Sequence, residues 1–114
     1  MAVTAQGSGT QTASIGTEHQ LCDVNVAGVF SFHVDTSNMA AGDVLELRIY
    51  QMELTAGTSR VLVMQQFYGA QLADDIQKIS IPVGNDLTDS TSLRFSLKQT
   101  FGTGRQYAWK VLKY

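Results

Sequence analysis

Two histidines, one cysteine and a scatter of acidic residues are the side chains of this 114-residue chain best suited to chemistry. His19 and His33, with Asp23 and Asp35, offer metal-ligating atoms, but their spacing matches no recognised ligand set. Both histidines fall at strand positions expected to face water. Cys22 and His33 would make a nucleophile and its base if residues 26–29 formed a tight hairpin. No third group orients that histidine and no oxyanion donor accompanies it, so Cys22 reads as a small, half-buried apolar residue. Asp74, Asp75, Asn85, Asp86 and Asp89 carry oxygens for calcium without the spacing of a calcium-binding loop, and such residues more often make turns. GTGR at 102–105 lacks the Gly-Lys-Ser/Thr ending of a phosphate loop. Tyr107, Trp109 and Tyr114 suggest a sugar-stacking platform, yet Trp109 alternates with Val111 as a core residue does. Serines and threonines are plentiful, with no base placed to activate them. The expectation is a protein that is no enzyme, with no cofactor and no metal.

The elements that would position these groups follow from composition and period. The length suits one domain. Charged residues make up 16%, against roughly 25% in an average soluble domain. A surface so short of charge is either polar and neutral or covered by a partner. The net charge of -2 gives no electrostatic case for nucleic acid or an anionic membrane, and no apolar run is long enough to span one. The first residues show neither the basic nor the apolar region of a secretory signal. One cysteine excludes an intrachain disulfide, and a free thiol suits the cytosol.

Apolar residues recur at every second position, the signature of half-buried strands. Phe30, Phe32 and Val34 share a face; so do Leu45, Leu47 and Ile49; Ile79, Ile81 and Val83; Leu93, Phe95, Leu97 and Phe101; and Trp109 and Val111 with Tyr107. The expected core is Phe30, Phe32, Leu45, Leu47, Ile49, Ile79, Ile81, Phe95, Leu97, Trp109 and Val111. Short helical turns fit 37–41 or 71–75. The fold class expected is all-β: an antiparallel β-sandwich, jelly-roll-like, with an extended N-terminal arm. The arm covers residues 1–16 and the sandwich domain 17–114.

Two stretches go further. FGTGR reads as a hairpin tip whose three-residue loop 102–104 pairs Leu97 with Trp109 and Gln99 with Tyr107, placing the large apolar groups on one face. The turn at 26–29 is weaker; Ala27 suits a positive φ poorly, so the turn is wide or its strands belong to different sheets. VLVMQQFYG at 61–69 is apolar on both faces, and the preceding strand carries Tyr50 and Met52 on its wet side. A strand apolar on both sides needs cover on both, from a loop or from another subunit. Tyr50, Met52, Leu62, Met64 and Tyr68 are therefore interface candidates, with Val3 and Ile15 as anchors of the arm.

The opening MAVTAQGSGTQTASIGTEH, the middle NMAAGDVLELRIYQM and the ending LRFSLKQTFGTGRQYAWKVLKY resemble small β-rich virion structural proteins of tailed bacteriophages, some of them capsid cement or decoration proteins. The likeness spans nearly the full length and carries no catalytic motif. It implies a non-enzymatic protein on the capsid surface of the virion, assembled in the host cytoplasm. Its partners would be the major capsid protein and itself, as a homo-oligomer with a trimer favoured, without nucleic acid or membrane. A tail or neck component is the alternative within the group, and a carbohydrate-binding sandwich module the alternative outside it. The neutral leader would then lie extended along a partner and add backbone hydrogen bonds.

Overall fold

Period-two patterning produces strands throughout, and the computed structural model, which describes residues 2–114, contains nine of them among those residues. They are β1 (Thr4–Thr12), β2 (Glu18–Val24), β3 (Gly28–Asp35), β4 (Val44–Gln51), β5 (Arg60–Tyr68), β6 (Gln77–Ile79), β7 (Val83–Asn85), β8 (Leu93–Phe101) and β9 (Gln106–Lys113). A single 3-10 turn, Ala73–Asp75, lies between β5 and β6, in one of the two places expected to turn. One sheet has the order β1-β9-β3-β6, with β7 also pairing β3; the other has the order β2-β8-β4-β5. All pairings are antiparallel. The all-β antiparallel sandwich is thus the fold of this chain.

The inner faces interdigitate as two-sheet packing requires. Phe30, Phe32 and Val34 on β3 and Tyr107 and Val111 on β9 meet Leu45, Leu47 and Ile49 on β4 and Leu93, Phe95 and Leu97 on β8, all buried. Phe32 and Phe95 close the core edge-to-face, their ring centroids 5.5 Å apart. Eight of the eleven expected core residues are buried here; Trp109 is half-buried and packs against the cluster.

Ile79 and Ile81 are 56% and 62% exposed, which corrects their placement in the core. Their segment does alternate, but in the opposite phase. Lys78 pairs with Val34 and so turns inward, where its Nζ meets Asp75 at 2.9 Å and sits 4.8 Å from the centre of the Phe67 ring. Ser80 is buried because its hydroxyl accepts the Phe32 N–H at 2.9 Å. Phe101 is exposed as well, beyond a register shift in the β4–β8 ladder.

The final pair is not a hairpin. β8 and β9 belong to opposite sheets, and FGTGR crosses between them. Facing strands of a sandwich also put their large apolar groups on a common side, so burial alone does not separate the two arrangements. Gln99 and Tyr107 still meet, across the interior: the Tyr107 hydroxyl donates to Gln99 Oε1 at 2.9 Å. The Gln99 amide donates to the carbonyls of Phe101 and Thr103 and its oxygen also accepts the Arg105 N–H, so one fully buried side chain ties the crossing together. β2 and β3 likewise lie in different sheets, one of the two arrangements expected for 26–29.

Residues 4–12, set apart by composition as an arm, form β1 and pair with β9 along their length. Gly7 and Gly9 stand opposite Val111 and Trp109, where an added Cβ would approach the indole to 3.5 and 3.4 Å. The glycines let the strand lie close over the tryptophan. Composition alone does not reveal this, because β1 contributes backbone rather than apolar side chains.

Candidate interaction surface

The residues proposed for chemistry are separated by the fold. Cys22 lies on β2 and His33 on β3, in different sheets, so they form no dyad. Burial, then the Asp23 charge, pushes the Cys22 thiol above its usual range. His19 accepts the Ser14 N–H at 3.1 Å and contacts Gln11 across the β1–β2 corner. His33 corrects the expectation of a water-facing residue: it lies on the outer face of its sheet yet is buried among neighbouring side chains. Its Nε2 lies 2.9 Å from the Ser31 hydroxyl, which in turn meets the Tyr114 hydroxyl at 2.8 Å. Burial and the adjacent Lys110 charge hold His33 toward its neutral form. A serine beside a histidine is chemically suggestive, but Ser31 is itself buried and offers no approach to a substrate. Asn85 spends its amide on the carbonyls of Val26 and Leu87 and on Ser92, and Asp89 accepts the Ala56 N–H; both organise turns. Among the described residues no three His, Cys, Asp or Glu side chains gather as a metal site would require. Trp109 is covered by β1 and presents no open stacking platform.

The outer face of the β2-β8-β4-β5 sheet carries a continuous polar chain. Ser96 and Tyr50 each donate a hydroxyl to Glu18 Oε2 at 2.6 Å, and Arg48 reaches Glu18 Oε1 at 3.3 Å. Arg48 also donates to Glu46 Oε2 at 2.9 Å; Gln66 donates to Glu46 Oε1, and the Tyr68 hydroxyl donates to Gln66. Burial opposes ionisation of Glu18, but the Ser96 and Tyr50 hydroxyls and the Arg48 and Lys98 charges prevail and hold its carboxyl below the ordinary value. The Tyr50 hydroxyl is pushed up by burial and by its bond to Glu18. Tyr50, an interface candidate, is therefore half-buried and engaged in this chain.

Exposed apolar groups are distributed unevenly. Of thirteen large ones among the described residues, Leu54, Val61, Leu62, Met64, Tyr68, Leu72, Ile79 and Ile81 come from the single stretch 54–81. That stretch forms β5, the edge of one sheet, and β6, at the edge of the other. Lys78 on β6 reaching over Phe67 on β5 places both edges along one flank. Met64 and Tyr68, 50% and 66% exposed, project from the outer face of the β5 sheet with Leu62 exposed at a bulge beside them, whereas Ile79, paired with His33, projects from the outer face of the other sheet. Met52 does not join them at the surface: it is 6% exposed, its N–H bound to the Ser92 carbonyl, because the chain after β4 folds back inward. Val3 and Ile15 are exposed, just before β1 and in the turn after it. The sequence reading missed Ile79 and Ile81 as surface residues, and only the pairing of β6 with β3 reveals them.

Comparison with protein-family models, curated proteins and solved structures finds no match for this chain. The fold defines its class: an antiparallel β-sandwich, with exposed apolar residues gathered in the segment 54–81.

Proposed function

We propose that this chain is a non-enzymatic structural protein of a tailed-phage virion, a capsid cement or decoration protein that docks on the shell of the major capsid protein. The observation that carries the reading is the concentration of exposed large apolar residues in 54–81, on and beside the edge strands β5 and β6. The low charge content fits a surface partly covered by a partner. The strand orders β1-β9-β3-β6/β7 and β2-β8-β4-β5 support reading the sandwich as a jelly roll, an architecture that capsid proteins use among others. In this reading the protein binds the shell and a second copy of itself, on the capsid surface, after assembly in the host cytoplasm. Val3 and the turn at Ile15 are left as the parts of the leader that reach a neighbour.

The test is addition of tagged protein to capsids lacking it. Saturable binding that Leu62→Asp weakens at least tenfold, together with restored heat resistance of the particles, supports the proposal. Absence of binding, with particles that keep full heat and salt resistance without the protein, overturns it. Labelling that falls on the tail would favour the tail-component reading instead.

A further inference from the structure

We propose that β5 pairs, antiparallel and about a two-fold axis, with β5 of a second copy of this chain. This deepens the self-association part of the reading above and is independent of the shell.

An edge strand leaves a row of backbone N–H and C=O groups free, and proteins ordinarily guard such edges with charge, proline or shortness. Three of the edges here are guarded or lack apolar grip. β2 carries Glu18 and Asp23; β6 and β7 are three residues each, with Pro82 between them; β1 displays glycine and small polar groups. β5 is nine residues long and has no proline, and its one charge, Arg60, and its bulge at Leu62 both lie at its first end. From Val61 to Tyr68 it holds no charge and no proline, and Val61, Leu62, Met64 and Tyr68 are exposed.

The strand's own sequence sets the direction and register in which a second copy would pair. The single charge on β5 is Arg60, at one end. A parallel copy would set the two Arg60 residues side by side. An antiparallel copy separates them by about 40 Å at the usual rise per residue. Residues on one face must meet residues on the same face, so the axis passes through a residue and not between two. The ladder with β4 is regular from Val63 to Tyr68 and shifts register on passing to Val61, which leaves Leu62 bulged. An axis at Gln66 uses the regular part alone. It sets Gln66 against the partner's Gln66 and Met64 against the partner's Tyr68, a sulfur–aromatic contact. It also brings Leu62 toward the chain that follows the partner's Tyr68, where Leu72 is exposed. The contact is isologous and closed, leaving neither β5 edge free. It yields two copies where the phage resemblance favours three.

The test is light scattering behind size exclusion on the full chain at micromolar concentration, paired with oxidative cross-linking of Cys22→Ser/Gln66→Cys. The expected result is a mass of two chains, falling to one in Met64→Lys with an unchanged far-UV spectrum, and rapid covalent dimerisation of the Gln66→Cys protein. Cys22→Ser/Gln20→Cys, with its thiol on the β2 edge, should stay uncrosslinked. A native mass of one chain overturns the proposal, as does a mass of three. A two-chain mass without cross-linking at residue 66 also overturns it, since the contact would then lie on another face. Shell binding in the capsid assay does not enter this result, so the two proposals fail separately.

Discussion

Asp43 shows what one residue holds. It is 1% exposed and precedes β4, and its carboxylate accepts the N–H groups of Ala40 and Thr103 and the Nε–H of Arg105. It thereby fastens the β8–β9 crossing to the loop before β4. Burial disfavours its charge, but the Ala40, Arg105 and Thr103 bonds outweigh that and keep its carboxyl below the ordinary value. Asp43→Ala strands these donors and should cost about 3 kcal/mol, read as a fall in Tm of roughly 10–15 °C in a domain of this size. Gly102 in the same crossing has φ +93°, and a Cβ there would overlap the Asp43 carboxylate. Gly102→Ala should therefore cost more than about 1 kcal/mol, whereas Gly84→Ala, in open space, should stay within about 0.5 kcal/mol; urea midpoints measure both. The sequence shows a glycine-rich turn at 102–104 but not the carboxylate it leans on, 59 positions away. Local turn chemistry is written locally, and its tertiary partner is not.

Among the elements, β1 and β6 separate composition from role. β1 looks like a leader because it lacks apolar side chains, yet it completes a sheet and covers Trp109. Deleting residues 1–12 should lower the urea midpoint and shift tryptophan emission to the red, because β9 loses its neighbour and the indole meets water. A leader needed only by a partner would leave both readings unchanged. β6 alternates as expected but in the opposite phase, so Ile79→Ser should change monomer stability by less than about 0.5 kcal/mol while Phe95→Ala costs about 3–5 kcal/mol. Chemical denaturation of the two variants checks the assignment. Alternation on β3, β4 and β8 was legible because long apolar runs leave only one face worth burying. On β6 and β7, three residues each around Pro82, hydrogen bonds to β3 decided the phase.

At the scale of the molecule, pH reports how the sandwich uses its carboxylates. Glu18 and Asp43 both have folded pKa values below their ordinary 4.5 and 3.8. Above those values the unfolded chain is ionised as well, and the full stabilisation is present. As pH falls below them, the unfolded chain takes up protons first and stability is lost through the folded pKa values. His33 adds an earlier loss: its folded pKa lies below 6.5, so the unfolded chain protonates first as pH drops past that value. Thermal scans should show Tm declining gently below neutrality and steeply in the range of the carboxylates. Glu18→Gln should flatten the lower part of that decline.

That this chain is made of strands, which residues of β3, β4 and β8 are core, and that 61–68 carries apolar groups on both sides are all legible in the order of residues. Those properties depend on period and composition, which neighbours along the chain fully specify. Tertiary packing alone set which sheet each strand joins, that β8 and β9 face each other across the core, that β1 belongs to the fold, and that Ile79 and Ile81 lie at the surface. These depend on which strand is hydrogen-bonded to which. Backbone hydrogen bonds are chemically the same at every residue, so their pairing is chosen by the packing of the whole chain and leaves no mark in any one stretch of it.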